Sequence, residues 1–308
     1  MSRYRNVALF LALAAIWGSA FVAISAGLEY FPPVLFAALR YDVAGAVMLA
    51  YAIYVGDRWR PRGRDEWGVV AVGAGLLIAA YHAFLFVGQQ HTTAAAAAIL
   101  VSLSPVLTTG FARALLPSDA LSVVGVVGVA IGLVGVAVIA RPDPSNLFAA
   151  DAVGAFLVFC AAASFALGSV LTRRIDSALP IETMEAWSMI GGALVMHAIS
   201  LALGEPVDPS AWLHPEALGA LGYLAIVASA VGFLLYFDLL EHLGAVEINM
   251  VSYVAPVFTA IVGWLYLGEV VDAATVLGFV LIAAGFALVK RRALRDELAA
   301  FGRSTSSG

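Results

Sequence analysis

The chain has 308 residues, of which 62% are hydrophobic and only 12% charged, with a formal net charge of −5. A soluble domain carries about 25% charged residues, and no soluble core could bury this much apolar surface. The composition therefore excludes a soluble protein and predicts an all-α integral membrane protein. A single cysteine, Cys160, excludes a disulfide framework and a cysteine-based metal site within one chain.

Ten apolar stretches follow one another along the chain, each about long enough to cross the roughly 30 Å hydrocarbon layer. The first is too long for the 7–15-residue core of a signal peptide, so it is interpreted as a span. The predicted spans are Val7–Leu28, Pro33–Val55, Trp67–Gly88, Ala94–Leu116, Leu121–Ala140, Ala152–Leu171, Thr183–Leu203, Ala217–Leu240, Ala245–Leu267 and Ala273–Val289.

Lysine and arginine residues predict the orientation, because they concentrate on the cytoplasmic side of a membrane protein. With a cytoplasmic N-terminus, 14 of the 16 basic residues fall in segments on the inside. Arg141 falls outside, and Arg40 lies within the second span. This bias predicts a multi-pass protein with an even number of spans and both termini in the cytoplasm.

The two halves of the chain repeat one pattern about 150 residues apart. Pro105 corresponds to Pro256, and the Gly128–Gly135 spacing recurs at Gly278 and Gly285. Because each copy contains five spans, the second copy enters the membrane from the opposite side, as in inverted-repeat transporters. The predicted division is a first repeat at 1–141, a linker at 142–151, a second repeat at 152–292 and a cytoplasmic tail at 293–308.

This ordered, duplicated set of short motifs resembles the EamA family of the drug/metabolite transporter superfamily. The matching pieces are Trp17-Gly18-Ser19, Leu39-Arg40, Ala94 through Pro105-Val106, and Pro256-Val257 through Gly268-Glu269. The resemblance implies a plasma-membrane carrier that moves small metabolites or amino acids, often outward. It also implies a central cavity lined by spans 1–4 and 6–9.

Arg40 is the sharpest candidate for a substrate-binding residue. It lies about eight residues into the second span, where a charge costs at least a few kcal/mol unless it meets a cavity or a partner. A planar guanidinium is suited to pair with a substrate carboxylate. The alternative is a structural role, in an internal salt bridge or on a backbone carbonyl.

His82 and Glu247 are the candidate proton sites. A histidine titrates near neutral pH, whereas a neutral histidine hydrogen-bonded between helices is the structural alternative. His197 carries the same two interpretations. Glu185 and Asp238 fall near predicted helix ends and are interpreted as solvated carboxylates.

Pro105 and Pro256 each free a backbone carbonyl four residues earlier, on Val101 and Ser252. Such a carbonyl needs water, a cavity or a hydroxyl at membrane depth, so both prolines are candidate gating positions as well as packing features. The other candidate cavity residues are Trp17, Tyr81, Phe84, Trp187, Asn249, Ser252 and Tyr253.

The sequence lacks the Walker phosphate-binding motif and the H-E-x-x-H and G-x-S-x-G hydrolase motifs, so neither an ATPase nor an enzyme is predicted. No cofactor, metal ion or nucleic-acid partner is expected. Gly128 and Gly132 form a Gly-x-x-x-Gly face that leaves both internal packing and a homodimer open. The leading hypothesis is a secondary transporter exporting amino acids or organic anions by alternating access. A non-transporting receptor or assembly factor is the alternative.

Overall fold

The structure is a computed structural model that describes residues 3–56, 58–115, 123–141, 149–206, 208–243, 248–289 and 291. Glu247, most of the predicted linker and the whole predicted tail lie outside these ranges. All regular elements of the described part are helical. Its principal helices are α1 (Arg3–Leu28), α2 (Pro33–Val55), α3 (Gly63–Gln89), α4 (Ala94–Leu115), α5 (Val123–Ala140), α6 (Ala150–Arg174), α7 (Ile181–Leu203), α8 (Pro215–Gly222, Tyr223–Val231 and Gly232–Leu243), α9 (Val251–Leu267) and α10 (Ala273–Val289).

Within the described ranges, seven helices are long and apolar enough to cross a membrane. They correspond to α1–α4 and α6–α8. Shorter apolar helices occur at Val124–Ala140, Val251–Leu267 and Ala273–Val289, within α5, α9 and α10. The chain is therefore a multi-pass helical membrane protein.

Two of the helices contain a π-helical segment, in which backbone hydrogen bonds skip one residue further than in an α-helix. The segment in α3 is Gly73–Ala80, and the segment in α8 is Tyr223–Val231. Their first residues are 150 positions apart, which matches the offset of the sequence repeat. The duplication therefore extends to an uncommon local backbone geometry that the residue pattern alone did not reveal.

The two prolines act differently on their helices. α4 stops at Val101 and restarts at Ser104, where the Ser104 hydroxyl donates to the Val101 carbonyl over 2.7 Å. This is the carbonyl that Pro105 was expected to free. By contrast, α9 runs unbroken through Pro256. The predicted pair of symmetric kinks is thus a broken helix in one half and a continuous helix in the other.

α5 and α10 pack against each other through glycines and run antiparallel. A Cβ atom added to Gly128 would lie 2.7 Å from the Gly285 carbonyl oxygen, and one added to Gly135 would lie 2.8 Å from that of Gly278. The later glycine of α5 thus meets the earlier glycine of α10, which is the pattern of antiparallel helices. Gly128 of the predicted Gly-x-x-x-Gly face is thereby buried inside the chain.

α2 and α7 also run antiparallel. Gly45 of α2 contacts Ile190, whereas the earlier Val34 amide donates to the later Glu205, just beyond α7. Exchanging the two halves of the chain maps the other main contacts onto one another. The pair α1–α9 becomes α6–α4, the pair α3–α6 becomes α8–α1, and the pair α3–α7 becomes α8–α2. The packing is therefore that of two similar halves.

Candidate functional site

Arg40 extends from α2 toward the π-helical segment of α8. Its side chain is buried, with 6% of the residue exposed, and its Nε donates a hydrogen bond to the Ser229 hydroxyl over 3.0 Å. In the described part of the chain no carboxylate lies within ion-pair distance of the guanidinium. A buried cation without a counter-ion is costly, so this arrangement favours an anionic ligand.

A chain of contacts continues from Arg40 to α3. The Arg40 guanidinium carbon lies 5.1 Å from the centroid of the Tyr41 ring, and the Tyr41 hydroxyl lies 2.8 Å from Nε2 of His82. His82 Nδ1 lies 2.9 Å from the Ile78 carbonyl, an acceptor, so Nδ1 carries the proton and Nε2 accepts from Tyr41. The neutral ring satisfies both bonds, which fits a structural role better than the predicted role as a proton carrier.

The Trp17-Gly18-Ser19 motif joins α1 to the second half of the chain, and each of its residues makes a different contact. Trp17 Nε1 donates to the Ala228 carbonyl in the π-helical segment of α8 over 3.1 Å. The Ser19 hydroxyl lies 2.6 Å from the Tyr223 hydroxyl at the start of that segment. Gly18 lies against α9, where an added Cβ would collide with the Ala255 carbonyl oxygen.

The π-helical segment of α3 has a matching contact from α6. The Ser164 hydroxyl donates to the Leu76 carbonyl over 2.9 Å. Each π-helical segment is thus hydrogen-bonded by the first helix of the other half, with tryptophan in one case and serine in the other. A π-helical turn disturbs the regular hydrogen-bond ladder, and at membrane depth such carbonyls require partners.

Glu185, interpreted from the sequence as a solvated helix-end carboxylate, lies in the second turn of α7 and is half-buried. It acts electrostatically on Tyr41 of α2 and Tyr236 of α8. Tyr236 stacks on Trp17, with ring centroids 5.6 Å apart. Thr183 and Ala186, on either side of Glu185 in the sequence, are both buried, so Glu185 lies at the edge of the packed face of α7.

The remaining polar candidates of the first eight helices have separate partners. His197 Nε2 lies 2.8 Å from a carboxylate oxygen of Asp42, and Asp238 forms an ion pair with Arg5. The aromatic candidates likewise have different surroundings. Tyr81 packs edge-on against His82, Phe84 is exposed, and the Trp187 indole donates to the Trp59 carbonyl.

The predicted polar face of α9 lies apart from Arg40. Asn249 is exposed just before the helix, Ser252 is half-buried, and Tyr253 and Pro256 are buried. Tyr253 packs against Phe286 of α10, with ring centroids 4.6 Å apart, in a hydrophobic cluster distinct from the one around α2 and α3. The structure therefore brings Arg40, His82 and Trp17 toward the π-helical segments but leaves the α9 residues elsewhere.

Comparison with known proteins finds the same pattern in each half. A profile described as the EamA-like transporter family matches residues 5–141 and again 152–291. An uncharacterized inner membrane transporter of Escherichia coli K12, YedA, is 30% identical over 282 residues, covering 86% of this chain and 88% of YedA. A chloroplastic WAT1-related protein of Arabidopsis thaliana is 28% identical over 267 residues, covering 85% of this chain.

The chain spans 64% of the length of that Arabidopsis relative. The uncharacterized transporter YoaV of Bacillus subtilis is 25% identical over 275 residues and is covered over 93% of its length. A solved crystal structure superposes with a TM-score of 0.63 at 26% sequence identity, covering 96% of this chain and all of the matched chain.

Proposed function

This chain belongs to the EamA-like transporter family, and on that premise we propose that it exports small metabolites, such as amino acids or organic anions, across the plasma membrane by alternating access. The proposed architecture has ten spans in two inverted five-helix repeats, at 1–141 and 152–292, joined by a linker. Both termini lie in the cytoplasm, in keeping with the arginine distribution.

The antiparallel packing of equivalent helices supports the inverted arrangement. α5 and α10 occupy the same place in the two repeats, and so do α2 and α7. Two copies related by an axis in the membrane plane present equivalent helices in opposite directions, whereas an axis along the membrane normal would keep them parallel. The glycine contacts between α5 and α10 have the first of these geometries.

The observation that carries the substrate proposal is the unpaired Arg40. Ser229 engages Nε, and within the described residues the two terminal guanidinium nitrogens make no hydrogen bond or ion pair. Those nitrogens form the fork that binds a carboxylate bidentately. A substrate bearing a carboxylate would supply the counter-ion that the protein itself does not provide at this position.

The hydrogen-bonded π-helical segments support alternating access. Trp17 and Ser164 each donate a hydrogen bond from the first helix of one half to the π-helical segment of the other half, and Arg40 and Ser19 add bonds to the segment in α8. These bonds lie where one half would rock against the other. The break in α4 before Pro105 and the proline within α9 are candidate gating positions in the same movement.

Purified protein in liposomes loaded with amino acids and small carboxylates provides the test. Hydrogen bonds to a charged group contribute about 1.5–3 kcal/mol, so Arg40→Ala should weaken transport of carboxylate substrates at least about tenfold. Arg40→Lys should restore part of it, and exposed Arg64→Ala is the matched control. Equal transport by the wild type and Arg40→Ala would make Arg40 structural, and no transport by folded wild type would favour a receptor or assembly factor.

A further inference from the structure

We propose that a cleft at one end of the helix bundle is a binding site for a small organic ammonium ion. The cleft lies where α1, α3 and α7 end, and Arg40 is not among the residues that line it. The proposal rests on the proposed function for the side of the membrane that the cleft faces, which is the outside, and for the effect of the bound cation on export. The choice of a cation rests on the cleft itself.

The cleft has two adjoining parts that share Leu28, Glu29 and Gln90. The narrow part has a volume of about 230 Å³ and the wide part a volume of about 380 Å³. Small-molecule pockets measure about 300–1,000 Å³, so the wide part has room for a small solute. The narrow part is also lined by Ser25 and Gln89, and the wide part by Tyr30, Phe31, Pro32, Pro33, Glu205, Pro206 and Asp208.

Gln89 carries a hydrogen-bond acceptor that no described residue satisfies. Its Nε2 donates to the Phe21 carbonyl and, over 2.8 Å, to the Ser25 hydroxyl. A carbonyl only accepts hydrogen bonds, so these contacts orient the amide with Nε2 toward α1 and make Oε1 the acceptor. Oε1 has no donor among the described residues, although only 3% of Gln89 is exposed. Buried polar atoms are nearly always paired, so a ligand with N–H groups in the narrow part would complete this site.

Every charged side chain that lines the cleft is acidic. Two of the three carboxylates are engaged, because Glu205 accepts from backbone amides at the start of α2 and Asp208 caps the short helix Pro209–Leu213. Glu29 is exposed and, in the part of the chain that the structure describes, makes no hydrogen bond or ion pair. Glu29 is therefore the carboxylate that is available to a bound cation.

The ends of three helices add to this negative charge. α1 ends at Leu28, α3 at Gln89 and α7 at Leu203, two residues before Glu205. The C-terminal end of a helix carries about half a negative elementary charge and stabilises cations nearby. α2 begins here with the opposite polarity, but Glu205 already accepts from its first amides. The electrostatics therefore favour a cation over an anion such as a free carboxylate.

The walls of the cleft favour an organic cation over a metal ion. Among the described residues, no three His, Cys, Asp or Glu side chains are grouped so that they could hold a metal. Tyr30, Phe31 and two prolines form a wall of the wide part, where their apolar surfaces suit a short hydrocarbon chain. A primary ammonium group has three donors, which match Gln89 Oε1, the Glu29 carboxylate and the Ser25 hydroxyl.

A cation in the cleft would contact both halves of the chain. Glu29 and Gln89 belong to the first half, whereas Glu205 and Asp208 follow α7 in the second. A ligand that binds one of two states more tightly shifts the protein toward that state. An ammonium ion bound from outside would therefore hold this arrangement of the outer helix ends and slow the export cycle.

Ligand-observed NMR of the protein in lipid nanodiscs measures binding without requiring transport. The probe is n-butylammonium, and wild type should bind it without displacement by equal concentrations of n-butyrate or sodium chloride. Glu29→Gln should weaken binding about threefold, because ion pairs of exposed side chains are weak. Gln89→Leu should weaken it about tenfold, because it removes a buried acceptor of a charge-assisted hydrogen bond. Glu216→Gln, at an exposed carboxylate in α8, is the matched control and should bind as wild type does.

Glu29 has no described partner to lose, so Glu29→Gln tests the site whether or not Gln89→Leu folds. Equal binding by wild type and Glu29→Gln, or binding by neither, would overturn the proposal. Displacement by sodium chloride would assign the cleft to a metal ion and would also overturn it.

Proteoliposomes test the effect on the export cycle. External n-butylammonium should slow amino acid export by wild type, and should slow it less in Glu29→Gln. Export that external n-butylammonium leaves unchanged would overturn the effect on the cycle. Absence of export of every solute by folded wild type would overturn the proposed function and leave the binding result standing.

Discussion

Replacing Trp17 with phenylalanine removes one hydrogen bond between the two halves of the chain and keeps the aromatic ring. The indole Nε1 donates to the Ala228 carbonyl over 3.1 Å, while the ring stacks on Tyr236. Phenylalanine retains the stacking surface, so the substitution isolates the bond to the π-helical segment of α8. Ser164→Ala does the same at the Leu76 carbonyl of α3.

The free energy lost when either hydrogen bond is removed is expected to lie between two limits. A buried carbonyl left without a partner costs about 1–3 kcal/mol, whereas interhelical hydrogen bonds in membrane proteins average about 0.6 kcal/mol in double-mutant cycles. Trp17 is only partly buried, so a value of about 1 kcal/mol is expected. That corresponds to a roughly fivefold increase in local opening of the segment.

Hydrogen exchange of the protein in lipid nanodiscs measures this opening. Trp17→Phe should raise exchange about fivefold across Tyr223–Val231 and leave Gly73–Ala80 unchanged, and Ser164→Ala should show the reverse. Each variant is thereby the control for the other. If Trp17→Phe leaves exchange in α8 unchanged, the hydrogen bond does not hold the segment, and the proposed role of the π-helical segments in alternating access loses its support. Equal increases in both segments would instead indicate a global loss of stability.

Two further predictions concern stability. Gly18→Ala should destabilise the fold by about 1–3 kcal/mol through overpacking, because its Cβ would collide with the α9 backbone, whereas Gly110→Ala meets no atom within 4 Å and should be nearly neutral in thermal unfolding. A backbone hydrogen bond from Thr275 and the nearby Arg141 hold the pKa of Asp272 below its ordinary value of 3.8, so Asp272 stabilises the fold above that pH. The difference in melting temperature between wild type and Asp272→Asn should therefore shrink as the pH falls below about 4, and a difference that is constant with pH would contradict this.

The repeat and the membrane class could be predicted because they depend on composition and on widely spaced small residues. The same glycines that marked the duplication, Gly128 and Gly285 among them, prove to be the positions of closest helix approach. Such close approach leaves room only for a hydrogen atom on Cα, so the helix packing determines which residue the sequence carries at these positions.

The polar contacts could not be predicted in the same way. Whether Glu185 extends into solvent or toward Tyr41 depends on the rotation of α7, and α7 has several polar residues in its first two turns. The π-helical segments, GAGLLIAA in α3 and YLAIVASAV in α8, consist mainly of small and aliphatic residues and share no distinctive residue pattern. Their hydrogen-bonding partners are more than 80 residues away in the chain. Only the three-dimensional packing brings these groups together.

The two halves differ at the positions of the proposed site. The positions 150 residues after Trp17, Arg40 and His82 hold Leu167, Ile190 and Gly232. A Cβ added to Gly232 would lie 2.7 Å from the Trp17 indole nitrogen, so a larger residue at this position would displace the indole. A symmetric scaffold can present two opposite-facing states of similar energy, whereas a ligand with distinct charged ends requires asymmetric side chains. The duplication would therefore supply the two states that the proposed alternating access requires, and the departures from it would supply the charge recognition that we assign to Arg40.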